Sequence, residues 1–357
     1  MATSNTPALH HNVLLSAYAQ AWTPPQDLTW YLADELFRPI PVDKETNDYK
    51  IINQSTYQQL ADTIVGADGD VAEVQFYVDL DGTYKAKAHA LDGVIDHLER
   101  QKADDILEYE KRQADVPLTV LTNTLEYDAM QVVRNTANLG TSYRALASDE
   151  LFDNYSSLDS NPVLILREAC EAIISAAGRL PNFMAIDFLV WRAMKFNPAV
   201  QAIAPVHTMP AGLQEITVEM LEKKLEDVLR PKSIRITYGR YETARGPVLP
   251  ANSKKKSWLG SDVVIAFNQD VSRSSLGAAQ QFRFTGQNAG DESIQTENPG
   301  SPIGIYTFPA QHRGQKGSTI VRAITNRDYR VTRTSSLFVL KQCVDITNTT
   351  LYRNELD

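Results

Sequence analysis

The chain has 357 residues, a formal charge of −9 and a pI of about 5.3. That acidic balance excludes a protein built to wrap nucleic acid, because phosphate neutralisation needs clustered Lys and Arg. Length allows roughly two domains at ~150 residues each, and no apolar run approaches the ~20 residues of a membrane span. The N-terminus shows no basic stretch followed by an apolar one, so no signal peptide is expected. Cys170 and Cys343 are the only cysteines and lie far apart in sequence; Cys170 falls on an apolar stripe and reads as a buried thiol, which fits a reducing compartment and synthesis in the cytoplasm.

Taken in order, residues 1–45 are polar and punctuated by proline. Pro24-Pro25, Pro39 and Pro41 keep the backbone extended. Tyr18, Trp22, Trp30, Tyr31, Leu32, Leu36 and Phe37 nevertheless carry too much apolar surface for a free linker. The expectation is an arm lying against its own domain or a neighbouring subunit. From Glu73 to His89 the pattern has period two. Val74, Phe76 and Val78 alternate with polar neighbours, and Tyr84, Ala86 and Ala88 alternate with Lys85 and Lys87. Asp81-Gly82 between them predicts a two-residue hairpin turn. A lone hairpin is marginal in water, so this one needs a partner surface, and no third strand is evident beside it. Asp79 and Asp81 before Gly82 resemble the start of a calcium loop, but its further ligands are missing and no metal is expected.

Ala90 to Gln113 is charge-rich, helical or irregular, and reads as a solvated face. Leu118–Leu139 follows as an amphipathic helix with Leu118, Leu121, Leu125, Ala129, Val132 and Val133 near one face and Gly140 placed to end it. Asn161–Pro198 is the most strongly determined stretch. Asn161 caps a helix with Pro162 in its first position, and Val163, Leu166, Cys170, Ile173, Ile174 and Ala177 form one stripe. Gly178 ends the helix in a left-handed turn, with Pro181 beyond it. Phe183–Ile186 is a short apolar run, the mark of a strand buried on both faces. Asp187 caps a second helix carrying Leu189, Val190, Trp191 and Met194, which stops at Asn197-Pro198. Two helices and such a strand demand a covering layer on each side.

Thr217 is placed to cap a helix through Leu229, with Ile216 and Leu221 spaced as a hydrophobic staple and Pro231 as its end. Ser233–Tyr238 alternates as a strand, and Val263–Phe267 reads as a buried one. Lys254-Lys255-Lys256, the one basic cluster, reads as a solvated loop. Residues 268–317 are rich in Gly, Ser, Gln and Pro, with strand-like fragments at Phe282–Thr285 and Ile305–Phe308; such long inserts are functional or adaptable surface. Tyr329–Thr334 and Leu337–Ile346 predict a closing antiparallel pair.

No catalytic constellation emerges. There is no phosphate-binding glycine loop, dinucleotide fingerprint, nucleophile elbow or Cys-x-x-Cys. The histidines at 10, 11, 89, 97, 207 and 312 lack the i,i+4 partner of a helical metal site. The expectation is no enzyme activity, no cofactor and no metal.

Three stretches carry a resemblance. Gly178-Arg179-Leu180-Pro181-Asn182, with Trp191 and Asn197-Pro198, matches a glycine–arginine–x–proline–asparagine motif followed by apolar strand and helix. Tyr84 through Leu91 runs into an acidic stretch containing Asp96 and Glu99-Arg100, then the helix Leu118–Leu139. The strand Ser233–Tyr238, the segment Ser261–Phe267, an insert and a final β pair complete the order. Over about residues 45–346 this order resembles the tailed-phage major capsid protein family with its Hong Kong 97-type capsid fold. It departs from that pattern at Ile186-Asp187-Phe188 and in the insert 268–317.

The resemblance implies an α+β fold with an N-terminal arm at 1–45 and an E-loop region at 46–100 containing the hairpin 73–89. It implies a P-domain at 101–142 with a spine helix at 118–139, an A-domain at 143–325, and C-terminal strands at 326–357 returning to the P-domain. It implies a shell subunit that assembles with itself into pentamers and hexamers around double-stranded DNA, in the virion after assembly in the host cytoplasm. Portal, scaffolding and decoration proteins are its implied partners, with only weak non-specific contact to packaged DNA and none to membrane. Intersubunit contacts are then expected from Tyr77, Asp79, Asp81, Tyr84, Lys85 and Lys87 on the hairpin, and from Trp22, Trp30 and Tyr31 in the arm. Two other readings stay open: an encapsulin-like compartment enclosing a cargo enzyme, and a soluble α+β hydrolase with the hairpin as its lid.

Overall fold

The structure is a computed structural model that describes residues 10–11, 31–52, 78–202, 216–242, 255–268, 277–284, 303–310 and 317–345. The strands are β1 (His10–His11), β2 (Phe37–Val42), β3 (Thr46–Ile52), β4 (Val78–Lys85), β5 (Lys87–Asp96), β6 (Tyr143–Ala145), β7 (Phe183–Asp187), β8 (Ile234–Thr237), β9 (Arg240–Glu242), β10 (Lys255–Ser257), β11 (Val263–Ala266), β12 (Ala279–Phe284), β13 (Gly304–Ala310), β14 (Ser318–Val331) and β15 (Leu337–Lys341). The helices are α1 (Ala33–Leu36), α2 (His97–Lys102), α3 (Ile106–Arg134), α4 (Pro162–Ala177), α5 (Phe188–Phe196), α6 (Pro198–Gln201) and α7 (Val218–Lys224).

Two sheets organise these elements. One is five-stranded in the order β6-β15-β11-β7-β8, and the other runs β1-β13-β14-β12-β2 with β5 also paired to β14. Two-stranded ribbons, β3–β4 and β9–β10, complete the pairing among the described residues. Period-two alternation along β7 splits its side chains between two cores. Phe183 and Ala185 join α3, α1 and the inward residues of β14, while Met184 and Ile186 join α4, α5 and α7. The five-stranded sheet is therefore the wall between the cores, and this is why β7 is buried along its whole length. Here are the two covering layers that the sequence demands.

Around β7 the local chemistry acts as expected. The Asn161 side chain accepts from Leu164 N, Gly178 closes α4 at φ +64°, and Asp187 caps α5 by accepting from Leu189 N. Asn197 then starts a further short helix, α6, by accepting from Ala199 N, with Pro198 in its first turn. Thr217 caps α7, and Ile216 and Leu221 are both buried in one core; the helix ends at Lys224, sooner than the expected Leu229. Lys255 and Lys256 lie in the β9–β10 ribbon, not in a loop.

Four expectations need correction. First, the long helix begins at Ile106, not Leu118, and ends at Arg134, not Leu139; it has 29 residues, about 43 Å. Asp105 caps it by accepting from both Leu107 N and Glu108 N, and Pro117 lies inside it. Gly140 (φ +58°) follows a separate 3₁₀ turn at Thr136–Asn138 instead of closing the helix. Second, Asp81-Gly82 is not a turn, and 73–89 is not a self-contained hairpin. The chain runs straight through β4, which pairs antiparallel with β3, with Gly82 opposite Tyr49. A Cβ on Gly82 would sit 2.4 Å from the Tyr49 ring, so this glycine makes room for an aromatic across the ribbon. The missing third strand is β3.

Third, the expected arm does not extend as far as residue 45: from Leu32 the chain lies against its own domain, one of the two alternatives expected, with Leu32, Leu36 and Phe37 buried in the core and β2 paired in parallel with β12. Pro39 and Pro41 fit there because β2 is an edge strand, where a missing N–H costs no ladder bond. Fourth, β14 and β15 do not pair with each other. Thr332, Arg333 and a 3₁₀ turn at Thr334–Ser336 carry the chain from one sheet to the other, fastened by the N–H groups of Thr332 and Arg333 donating to Ala278 O at 3.1 Å. The residues after 331 thus return to the five-stranded sheet.

Candidate assembly surface

The ribbon β3–β4 is rooted on the outer face of the sheet that contains β12 and β14. Tyr84 stacks on Phe282 with ring centroids 4.5 Å apart and planes 9° from parallel, and Tyr49 meets the same ring at 4.8 Å. Lys85 N donates to Asp328 Oδ2 at 2.8 Å, and Ala86 N donates to Glu45 O at 2.7 Å. Burial pushes the Tyr49 phenol up, with Arg330 opposing and Asp328 adding; burial does the same to Tyr84, with Asp43 adding. The solvent side of the ribbon root presents Asp43, Lys44, Glu45, Asp48, Thr83 and Lys85, a mixed-charge surface.

These contacts sort the expected contact residues. Tyr84, expected as an intersubunit contact, is only 5% exposed and packs on Phe282 within the chain. Lys85 and Lys87 are exposed. Asp79 and Asp81 lie in β4, and only their backbone pairing is described: Asp79 faces Ile51. Tyr77, Trp22 and Trp30 lie outside the described residues. Tyr31 is half-buried; its hydroxyl donates to Asn123 Oδ1 at 2.9 Å and its ring lies 5.7 Å from that of Trp258, so the arm contact expected of it falls inside the chain.

Beside Tyr31 is a group that the sequence reading overlooked. Glu126 is 2% exposed on α3 and accepts from Leu32 N through Oε1 and from Ala33 N through Oε2, both at 2.9 Å. Burial lifts its carboxyl to about 8; the two N–H donors oppose that rise and Asp34 adds to it. The signal was present in the sequence: Thr122, Glu126, Met130 and Val133 follow helical spacing into the buried face, and a carboxylate there requires partners. The segment is strapped down further by Arg283 to Asp34 and Arg235 to Glu35, each at 3.0 Å.

At its far end α3 is tied to the five-stranded sheet. Arg134 pairs with buried Asp262 at 2.8 Å, Lys341 Nζ donates to Arg134 O at 2.7 Å, and Asp262 Oδ1 accepts from Gln342 N. Its solvent stripe runs Glu108, Arg112, Val116, Val120, Thr124, so it turns from charged to apolar along the helix. Leu158, Leu164 and Phe196 are further exposed apolar side chains. Among the described residues no group of three or more His, Cys, Asp or Glu is placed to hold a metal, and no helix is long and apolar enough to cross a membrane. The described residues offer exposed surfaces of mixed charge and apolar character on a body with two cores.

No family model matches the chain, and no curated protein matches it by sequence. Solved structures do match. A phage-related protein from Bordetella bronchiseptica RB50 superposes with a TM-score of 0.65 at 16% identity, covering 94% of this chain and 98% of that one. An encapsulin complex from Synechococcus elongatus PCC 7942 superposes with a TM-score of 0.53 at 11% identity, covering 95% and 97%. The capsid of the cyanophage P-SCSP1u gives 0.51 at 9% identity, covering 89% and 90%. With so little sequence in common and nearly whole chains aligned, what they share is architecture: this chain has the α+β fold found in phage capsid and encapsulin shells.

Proposed function

We propose that the chain is a major capsid protein that assembles with copies of itself into an icosahedral head around double-stranded DNA. The observation that supports this best is the likeness to a phage capsid and an encapsulin along nearly the whole of both chains, which leaves little of the chain for a separate catalytic domain. On this reading the half containing the five-stranded sheet and α4–α7 is the A-domain, which takes in β15 instead of returning it to the P-domain as first expected, and α3 with the β14 sheet, whose residues up to 325 were expected in the A-domain, is the P-domain. The ribbon β3–β4 is the root of the E-loop, and exposed Lys85 at its base and Lys87 at the start of β5, with Asp79, Asp81 and Tyr77 further along, contact a neighbouring subunit. Portal, scaffolding and decoration proteins would be its partners, and the virion its final location.

Electron microscopy of the protein expressed alone and concentrated tests the reading. Closed shells or capsomer rings are expected; a protein that stays monomeric overturns it and reopens the hydrolase alternative. The likeness to an encapsulin supports a second use of the same fold, a compartment for a cargo enzyme. Nuclease treatment and mass spectrometry of purified shells separate the two, since a head holds DNA and a compartment holds one co-purifying enzyme.

A further inference from the structure

The sheet that contains β14 ends on one side in β5. Among the described residues β5 pairs with β14 from Lys87 to Asp96, and no strand pairs with its other side. His97 N donates to Gly317 O at 3.3 Å, one register step beyond Asp96 and Ser318. Bonded pairs alternate along an antiparallel ladder. The odd positions of β5 therefore bond to β14, and the N–H and C=O groups of Ala88, Ala90 and Val94 point outwards in the plane of the sheet. All three residues are exposed. Edge strands are commonly blunted, and β2 carries Pro39 and Pro41, but β5 has no proline. A second feature runs along the same edge. Pro117 of α3 lies over Gly93, and Asp128 faces His89 and Lys87, so α3 runs antiparallel along β5. Glu126 looks the other way, towards α1. At 3.6 residues per turn, Val120 and Val116 come next round the helix beyond Pro117, on the side that overhangs the edge; they are 46% and 63% exposed.

We propose that β5 and the overhanging side of α3 form an interface with a second copy of this chain, the two β5 strands pairing antiparallel across a two-fold axis and the two α3 helices packing beside each other. The inference rests on this edge and not on the shell-forming reading, since a pair can form without a shell closing. Charge selects a second copy as the occupant. Lys85 precedes β5 and Lys87 begins it, whereas Asp92 and Asp96 lie in its later half with Glu99 just beyond. Antiparallel self-pairing sets the basic half of each strand against the acidic half of the other. Centred on Leu91, the pairing places Ala88 opposite Val94 and Ala90 opposite Asp92, so the two Asp92 side chains do not face each other. Each Asp92 stays in the grip of Arg322 in its own β14. The helices fit the same symmetry. Because α3 rests on both β5 and β14, its axis lies about half a strand spacing inside the edge. With strands ~4.8 Å apart, the two helices stand about 10 Å from each other, a distance at which helices pack. Leu91 and Val120 both fall between the crossing at Gly93 and the contact at His89, so each meets its own copy near the axis.

Cross-linking of the full chain is the test. Ala88 and Val94 are exposed and stand ~20 Å apart along one strand, too far for a short reagent to join them within a chain. In Ala88→Cys combined with Val94→Cys, a short thiol cross-linker is expected to give linked pairs of chains. Neither single variant is expected to do so, nor is the unmodified chain, whose Cys170 and Cys343 are buried. Ala90→Pro, added to the double variant, removes an N–H that points away from β14 and leaves the chain's own ladder intact; the linked pair is expected to disappear. Val120→Lys, at an exposed position, brings two cations together near the axis and is expected to remove it as well. A double variant that stays unlinked overturns the interface, and does so without touching the shell-forming reading if electron microscopy still shows shells. Linkage as strong in either single variant overturns it too, because it reports another contact. So does linkage that survives both Ala90→Pro and Val120→Lys.

Discussion

Gly93 marks the point where β5 crosses α3 most closely. A Cβ there would lie 2.6 Å from Gln113 O and 3.1 Å from Pro117 Cγ. The two facts share a cause. Pro117 has no N–H to give Gln113 O, so that carbonyl lacks its helical partner, and the strand pressing on it must have no side chain. Gly93→Ala is therefore expected to push strand and helix apart at a cost of about 1–3 kcal/mol, read as a lowered midpoint in urea. An unchanged midpoint would mean that the crossing is not tightly packed. Neighbouring Asp92 takes a bidentate grip from Arg322 at 2.6 and 2.8 Å, so the register is held on either side of the glycine.

At the scale of elements, the ribbon β3–β4 and the helix α3 lie on opposite faces of one sheet. The even positions of β14, Asp328 and Arg330, look towards Tyr49, and the odd positions Val321, Ala323 and Tyr329 pack on the α3 side. The aromatic stack on Phe282 and the bond from Lys85 N help hold the described ribbon root to its sheet on that face. Tyr84→Ala is expected to loosen β3 with β4, lowering exchange protection across Thr46–Asp48 at least tenfold while β7 and β11 are unaffected. Protection lost equally in β7 would mean that the ribbon is part of the global core. The sequence made Asn161–Pro198 legible because cap, glycine stop and apolar run agree there at every residue. It misled at Asp81-Gly82, where a strong turn signal was in fact a gap left for Tyr49, a residue some thirty positions earlier that no local pattern connects to it. It also left the first three turns of α3 open between helix and irregular chain. Pro117 looks like a boundary, although Asp105 and Glu108 held the capping spacing in plain view. Of the expected contact surface, the exposed lysines were readable, while the inward turn of Tyr84 and Tyr31 depended on Phe282, Asn123 and Trp258, which are distant in sequence.

At the scale of the molecule, one wall divides two cores, and the tie Arg134–Asp262 joins the end of α3 to it. The two thiols are not shared between the cores. Cys170 and Cys343 both lie buried in the core of α4, α5 and α7, and burial pushes Cys170 up to about 12 and Cys343 higher than an ordinary thiol. Protected and protonated, they are inert until that half opens. Their reaction with an excess of thiol reagent thus becomes a clock for one half of the protein. In Tyr84→Ala the clock should run at its original rate even as the ribbon loosens, and in Met184→Ala, which carves a cavity beside them, it should run on the order of a hundredfold faster. If both variants react alike, the wall does not separate two folding units, and the halves open as one.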